Sequence, residues 1–212
     1  MKKLLLTAMI AALLVMPLEG VALAKTPEAS APAVTAQEGD FDPGCVPAET
    51  DALASMTPAV HGVVLAMLHQ EQDRFSSGDS GLVWEALYNM LSLYGQMDER
   101  SGYVNEDLIL PVETVRDFSA ALTPDLEDLG ALPESLSDRM VYASEIDSYR
   151  LVCGDDGLAQ ISLESSRDLG GELELTGSLV YLVDGTGLAR FRAILRPSDN
   201  LFGYAITGLE LL

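Results

Sequence analysis

Positive charge, histidine and cysteine are all scarce in this chain, and each scarcity removes a class of function. Twelve Lys and Arg stand against 33 Asp and Glu, a formal charge of -21. Nucleic acids and anionic lipid surfaces reward clustered Lys and Arg, so a direct role on DNA, RNA or a membrane surface is disfavoured. The two histidines, His61 and His69, are too few and too close in sequence for most metal centres and Ser-His-Asp designs. A GxSxG elbow, a P-loop, a GxGxxG dinucleotide turn, a CxxC redox pair and an HExxH helix are all missing. No catalytic, cofactor-binding or metal-binding residue is therefore assigned from motif. Carboxylates are the opposite case: with 33 of them, no particular pair stands out as a glycosidase-like acid and base.

Long apolar runs are also lacking beyond the first residues. Met1-Lys2-Lys3, the apolar stretch Leu4 to Leu18 and the small residues Ala22-Leu23-Ala24 form the pattern of a secretory signal peptide over residues 1–24. Pro17 and Glu19 cut the apolar stretch short of a comfortable bilayer span, so no membrane insertion is expected after cleavage. Localisation is thus read as periplasmic or secreted. Losing Lys2, Lys3 and Glu19 leaves the remainder one unit more negative than the -21 of the whole chain. In an oxidising compartment the two cysteines, Cys45 and Cys153, are expected to form a disulfide that ties the N-terminal segment to the first strand of the sheet.

Residues 25–52 are rich in Ala, Pro, Thr and Glu without periodicity and read as a disordered or extended linker. The remainder, 53–212, reads as one α+β domain, and a hydrophobic content of 48% is ample for its core. Thr57-Pro58 looks like a cap and first helical turn, followed by a stripe of Val60, Val63, Val64, Met67 and Leu68. Ser80 opens a second helix, Leu82 to Tyr94, that is apolar nearly all round and so is expected at the centre of the core. Its Trp84, Tyr88 and Tyr94 could pack or line a cavity; packing is the commoner use.

Asp98, Glu99, Asn105, Glu106 and Asp107 gather around Gly102, but their spacing does not match an EF-hand loop. A brief strand at Tyr103-Val104 is expected there, then a helix from Pro111 with Val112, Val115, Phe118, Ala121 and Leu122 on its apolar side. A last helical segment is expected from Pro133 to Tyr142.

The C-terminal third alternates. Ile146–Cys153, Leu158–Glu164, Glu172–Val183, Leu188–Arg196 and Leu201–Leu211 read as five strands joined by turn chemistry, hence a curved antiparallel sheet on whose one face the N-terminal helices pack. Phe191, Ala193 and Leu195 mark its core face, and Arg190, Arg192 and Thr207 its solvent face. Leu173 and Leu175 have the opposite parity to Val180 and Leu182, which predicts a bent or bulged strand near Gly177. This order of elements is similar to that of cone-shaped α+β folds such as the NTF2-like superfamily, a scaffold shared by many functions.

Two readings of function follow. One is a non-catalytic periplasmic or secreted binding or accessory protein, whose partner is a protein or a small apolar ligand. The other is a hydrolase or isomerase centred on His69 and Asp73, which stand one helical turn apart in a first helix expected to run to about Arg74. A structural envelope role is the residual case.

Overall fold

The computed structural model describes residues 48–212 except 125 and 155. The expected signal segment, most of the expected linker and Cys45 lie outside the described residues.

The fold is α+β, with N-terminal helices packed on a five-stranded antiparallel C-terminal sheet. The first helix, α1 (Ala48–His69), begins upstream of the expected cap and carries Pro58 in its interior. From Ala59 to Met67 it is buried on every side. The chain leaves it through Glu71, whose positive φ of 54° turns the backbone away from the helix. The short β1 (Arg74–Phe75) follows, then α2 (Ser80–Tyr94), opened by an Asp79 carboxylate that accepts from the Leu82 N–H at 3.1 Å. That acceptor satisfies one of the free amides of the first turn, a role expected of Ser80 and taken by its neighbour.

The two helices meet at Gly62. A Cβ there would lie 2.5 Å from the Ala86 carbonyl oxygen and 3.0 Å from Met90 Cβ, so only glycine permits this approach. On the side away from α1, α2 faces a second sheet through Trp84 and Tyr88.

The five-stranded sheet runs β1-β9-β8-β7-β6, with β6 (Ala159–Asp168), β7 (Leu173–Tyr181), β8 (Gly187–Pro197) and β9 (Tyr204–Leu211). The second, four-stranded sheet runs β2-β3-β5-β4, with β2 (Gly102–Val104), β3 (Asp107–Pro111), β4 (Met140–Ala143) and β5 (Ser148–Leu151). The segment expected as the first strand of the meander thus pairs elsewhere. Ser148–Leu151 lies between β3 and β4, and the fifth place in the C-terminal sheet is filled by Arg74–Phe75 against Glu210 and Leu209. Between them, the helix expected from Pro133 shrinks to a single 3-10 turn, Glu134–Leu136, because Met140 onward is drawn into strand pairing with β5.

On β7 the core-facing residues are Leu173, Leu175 and Leu179, while Leu182 is 54% exposed. The strand pairs with β8 without interruption through Gly177, so the expected bulge there is absent. The irregularities fall one strand over, between Leu163 and Ser165 of β6, and further along, between Leu179 and Val180. Glycine at 177 has another cause: a Cβ would sit 2.6 Å from the Phe191 ring, which lies across it, and 2.5 Å from the Ser162 carbonyl oxygen. Phe191, Ala193 and Leu195 do face the core, and β9 adds Ile206 and, after a register shift, Leu209. Ahead of β4, α3 (Val112–Ser119) buries Val115 and Phe118 and leaves Glu113, Arg116 and Asp117 in water, as its periodicity requires.

The expected disulfide is not formed: Cys153 carries a free thiol. It is half-buried beside Ser92, and burial pushes its pKa up. The chain leaving β5 is fixed without a covalent link, since the Val152 amide donates to the Arg139 carbonyl at 2.9 Å and the Val152 carbonyl accepts the Tyr88 hydroxyl at 2.7 Å. Among the described residues no helix is long and apolar enough to cross a membrane.

Candidate functional site

His69 and Asp73 do not form a pair. The helix that would place them one turn apart ends at His69, and the turn at Glu71 carries Asp73 to the edge of the C-terminal sheet, where its carbonyl accepts the Leu211 amide at 3.0 Å. His69 instead has Nδ1 3.6 Å from Glu85 Oε1. Glu85 is a buried carboxylate whose other oxygen accepts Arg139 Nη2 at 2.9 Å, and the Arg139 guanidinium lies 4.6 Å from the centre of the Tyr88 ring. A carboxylate already held by an arginine is a poor orienter for an imidazole, so this cluster reads as a structural ion pair that fastens α2 to the segment before β4. His61, the second histidine, is buried and shares a 2.8 Å hydrogen bond between its Nδ1 and the Tyr94 hydroxyl.

Of the three aromatics on α2, Trp84 and Tyr88 are packed solid, Trp84 against Tyr149 with ring centres 6.3 Å apart. Tyr94 is different. It stands at the C-terminal end of α2 on the wall of a cleft of about 490 Å³, whose apolar lining comes from Pro58, Met97, Phe118, Leu201 and Phe202. Burial raises the Tyr94 pKa, so its hydroxyl stays neutral and serves the bond to His61.

Each wall of this cleft is pinned by the local sequence. The chain turns off α2 through a 3-10 turn, Gly95–Met97, that packs against β3; a Cβ on Gly95 would approach the Leu110 methyls to 3.2 Å. Ser101 Oγ donates to the Gly95 carbonyl at 2.6 Å and holds the turn closed. Asp98 then accepts three bonds from Arg100, from its backbone N–H and Nε at 2.9 Å each and from Nη2 at 2.6 Å. The same Nη2 reaches Asp117 Oδ2 on α3 at 2.6 Å, so one guanidinium joins the turn to the helix. The Arg100 hydrogen bond draws the Asp98 pKa down, and its two carboxylate partners push the Arg100 pKa up.

The opposite wall is the loop between β8 and β9. Asn200 Nδ2 donates to the Ala120 carbonyl at 2.9 Å and to the Tyr204 carbonyl at 3.0 Å, while its Oδ1 accepts the Phe202 amide at 2.9 Å. The Phe202 carbonyl in turn accepts Ser55 Oγ of α1 at 2.8 Å. Phe202 meets Phe118 edge to face with ring centres 5.6 Å apart, a favoured aromatic geometry that fixes the floor of the cleft. At the mouth Met97 and Leu201 stand 76% and 64% exposed.

Chemically the cleft can hold an apolar group. Among the described residues its lining offers no serine, threonine, cysteine or histidine side chain, and of its carboxylates Asp98 and Asp117 are held by Arg100. Among the described residues no group of three His, Cys, Asp or Glu is placed to hold a metal ion. Another depression, of about 370 Å³, lies on the outer face of the C-terminal sheet, but Arg74, Arg192 and Glu210 in it are locked to one another, as is Glu174 to Arg167. Indeed each of the nine arginines from Arg74 to Arg196 is paired with a carboxylate: the others are Arg100, Arg116, Arg139, Arg150, Arg190 and Arg196. Arg190 and Arg192 on the solvent face of β8 pair with Glu164 of β6 and Glu210 of β9.

Comparison with protein-family models, with curated proteins and with solved structures gave no match. The functional reading therefore rests on this geometry. Sequence periodicity marks Phe118 as a core residue, and the sequence favours packing over a cavity for Tyr94; Met97, Arg100, Leu201 and Phe202 join the cleft only because three distant segments converge. The one local sign is the Asp98-Glu99-Arg100 triplet one short turn after an apolar helix.

Proposed function

We propose that this is a non-catalytic binding or accessory protein of the periplasm or the extracellular space, which takes an apolar group into the cleft between Tyr94, Phe118 and Phe202. The observation that carries this reading is preorganisation: an apolar cavity whose two walls are tied down by Arg100 and Asn200 before any ligand arrives. Rigid walls reduce the ordering cost of association, and a largely apolar lining with a few fixed polar groups is the usual character of a binding site. The export assignment is supported by the signal-peptide pattern of residues 1–24.

A neutral, environment-sensitive fluorophore such as N-phenyl-1-naphthylamine tests the reading directly. It is expected to brighten on addition of the protein and to lose most of that signal with Met97→Ser or Leu201→Ser, both at exposed positions where folding is not at stake. No brightening, or brightening that both substitutions leave intact, would end the proposal.

A further inference from the structure

From the same cleft we infer the class of its occupant: a segment of a basic partner protein that inserts one apolar side chain and sets flanking lysines or arginines against the rim. The inference rests on the reading of the cleft as an apolar binding site and adds charge, attachment and size to it.

Three observations carry it. The rim holds Asp98, Glu99 and Asp117 against the single guanidinium of Arg100, so its formal balance is negative, and Arg100 is already saturated by two carboxylates. The rest of the chain reinforces this sign, because all nine arginines from Arg74 onward are engaged internally while the formal charge is -21. A rim of this kind repels an acidic partner and steers a basic one toward the cleft. Finally, Met97 and Leu201 line the cleft and also present a large apolar surface to solvent at its mouth. A small molecule seated inside meets these side chains on their inner side and leaves the outer surface wet, whereas a polypeptide crossing the mouth covers that surface too, and a methionine adapts to such a contact.

Short capped peptides provide the test, each read by calorimetry on the full chain. One carries leucine between lysines, one leucine between serines, one leucine between glutamates and one serine between lysines; hexylammonium represents a free amphiphilic cation. The lysine-flanked leucine is expected to bind about ten-fold tighter than the serine-flanked one, a factor that corresponds to about 1.4 kcal/mol. Raising salt from about 20 mM to about 300 mM shortens the screening length from about 20 Å to about 6 Å and should remove most of that advantage. Glu99→Gln and Asp117→Asn should each weaken the lysine-flanked peptide about three-fold, the effect of one charge at about 6 Å in water. Glu145→Gln, the same charge change on an exposed turn before β5, should leave it unaltered.

Equal binding of the serine-flanked leucine overturns the inference and leaves the apolar cleft standing. Equal binding of the serine peptide between lysines overturns it too, since attraction would then be diffuse. Hexylammonium binding as tightly as the peptide refutes the polypeptide partner. Peptides that all fail while the neutral fluorophore enters refute the inference alone, and failure of both refutes the cleft as well.

Discussion

Gly62 lies where α1 and α2 touch, and replacing it with alanine sets two opposing effects against each other. In a helix interior alanine is favoured over glycine by about 1 kcal/mol, because it restricts the unfolded backbone. Against that, the added methyl would sit 2.5 Å from the Ala86 carbonyl oxygen and 3.0 Å from Met90 Cβ, so the helices must part. Overpacking of a well-filled core costs roughly 1–3 kcal/mol. Separation would also break the 3.4 Å bond from Asn89 Nδ2 to the Gly62 carbonyl, removing roughly 1 kcal/mol more. The balance is a destabilisation of about 1–3 kcal/mol, a fall in Tm of roughly 3–10 °C for a domain of this size. Gly81→Ala is the matched control, for it lies in the first turn of α2, where a Cβ would meet only Asp79 Oδ1 at an ordinary 3.5 Å. That substitution should raise Tm slightly. Thermal unfolding followed by circular dichroism reads both, and a Gly62→Ala protein as stable as Gly81→Ala would show that the helix crossing is looser than the distances require.

Two further outcomes follow from the ion pairs. Arg139→Met leaves the buried Glu85 with His69 as its ion-pair partner among the described residues and removes the cation from the Tyr88 ring, so urea unfolding should show a loss of about 1–3 kcal/mol, below the usual figure for a broken buried pair because Arg139 is partly exposed. The double substitution Glu85→Gln with Arg139→Met should recover much of it; if it does not, Glu85 is not the source of the cost. Asp98 has its pKa lowered chiefly by the Arg100 hydrogen bond, so its contribution is complete above the unfolded value of about 4 and fades as pH falls through the lower folded value. The Tm advantage of the native chain over Arg100→Met should accordingly be present at neutral pH and shrink in acid; an advantage that persists unchanged at about pH 2, below the usual carboxylate range, would refute the assignment.

Much of the fold is legible residue by residue. The all-round apolar pattern of α2, the stripe on α3 and the alternation of β8 each name the buried side correctly, since burial periodicity is a local property of helix and strand geometry. Places where the reading departs from the structure are those where a distant segment competes. Pro58 suggested a helix start, yet the helix runs through it. The parity change on β7 suggested a bulge at Gly177, whereas that glycine makes room for Phe191 from the next strand. Ile146–Cys153 has good strand character, but character does not choose a partner, and β3 and β4 claim Ser148–Leu151. Arg74–Phe75 is too short to carry any periodicity and becomes a strand only by lying against β9.

The same division applies to the site. Composition alone determined the acidic character, because net charge is additive along the chain and independent of fold. Local pattern determined that Phe118 is buried and that Tyr94 ends an apolar helix. Only the tertiary structure decided that His69 faces Glu85 instead of Asp73, that Arg100 bridges Asp98 to Asp117, and that Phe202 closes on Phe118 to leave a cleft. Each of these is a contact between elements whose relative placement is set by packing of the whole core, and a pattern with the period of one helix or strand carries no information about what lies across it.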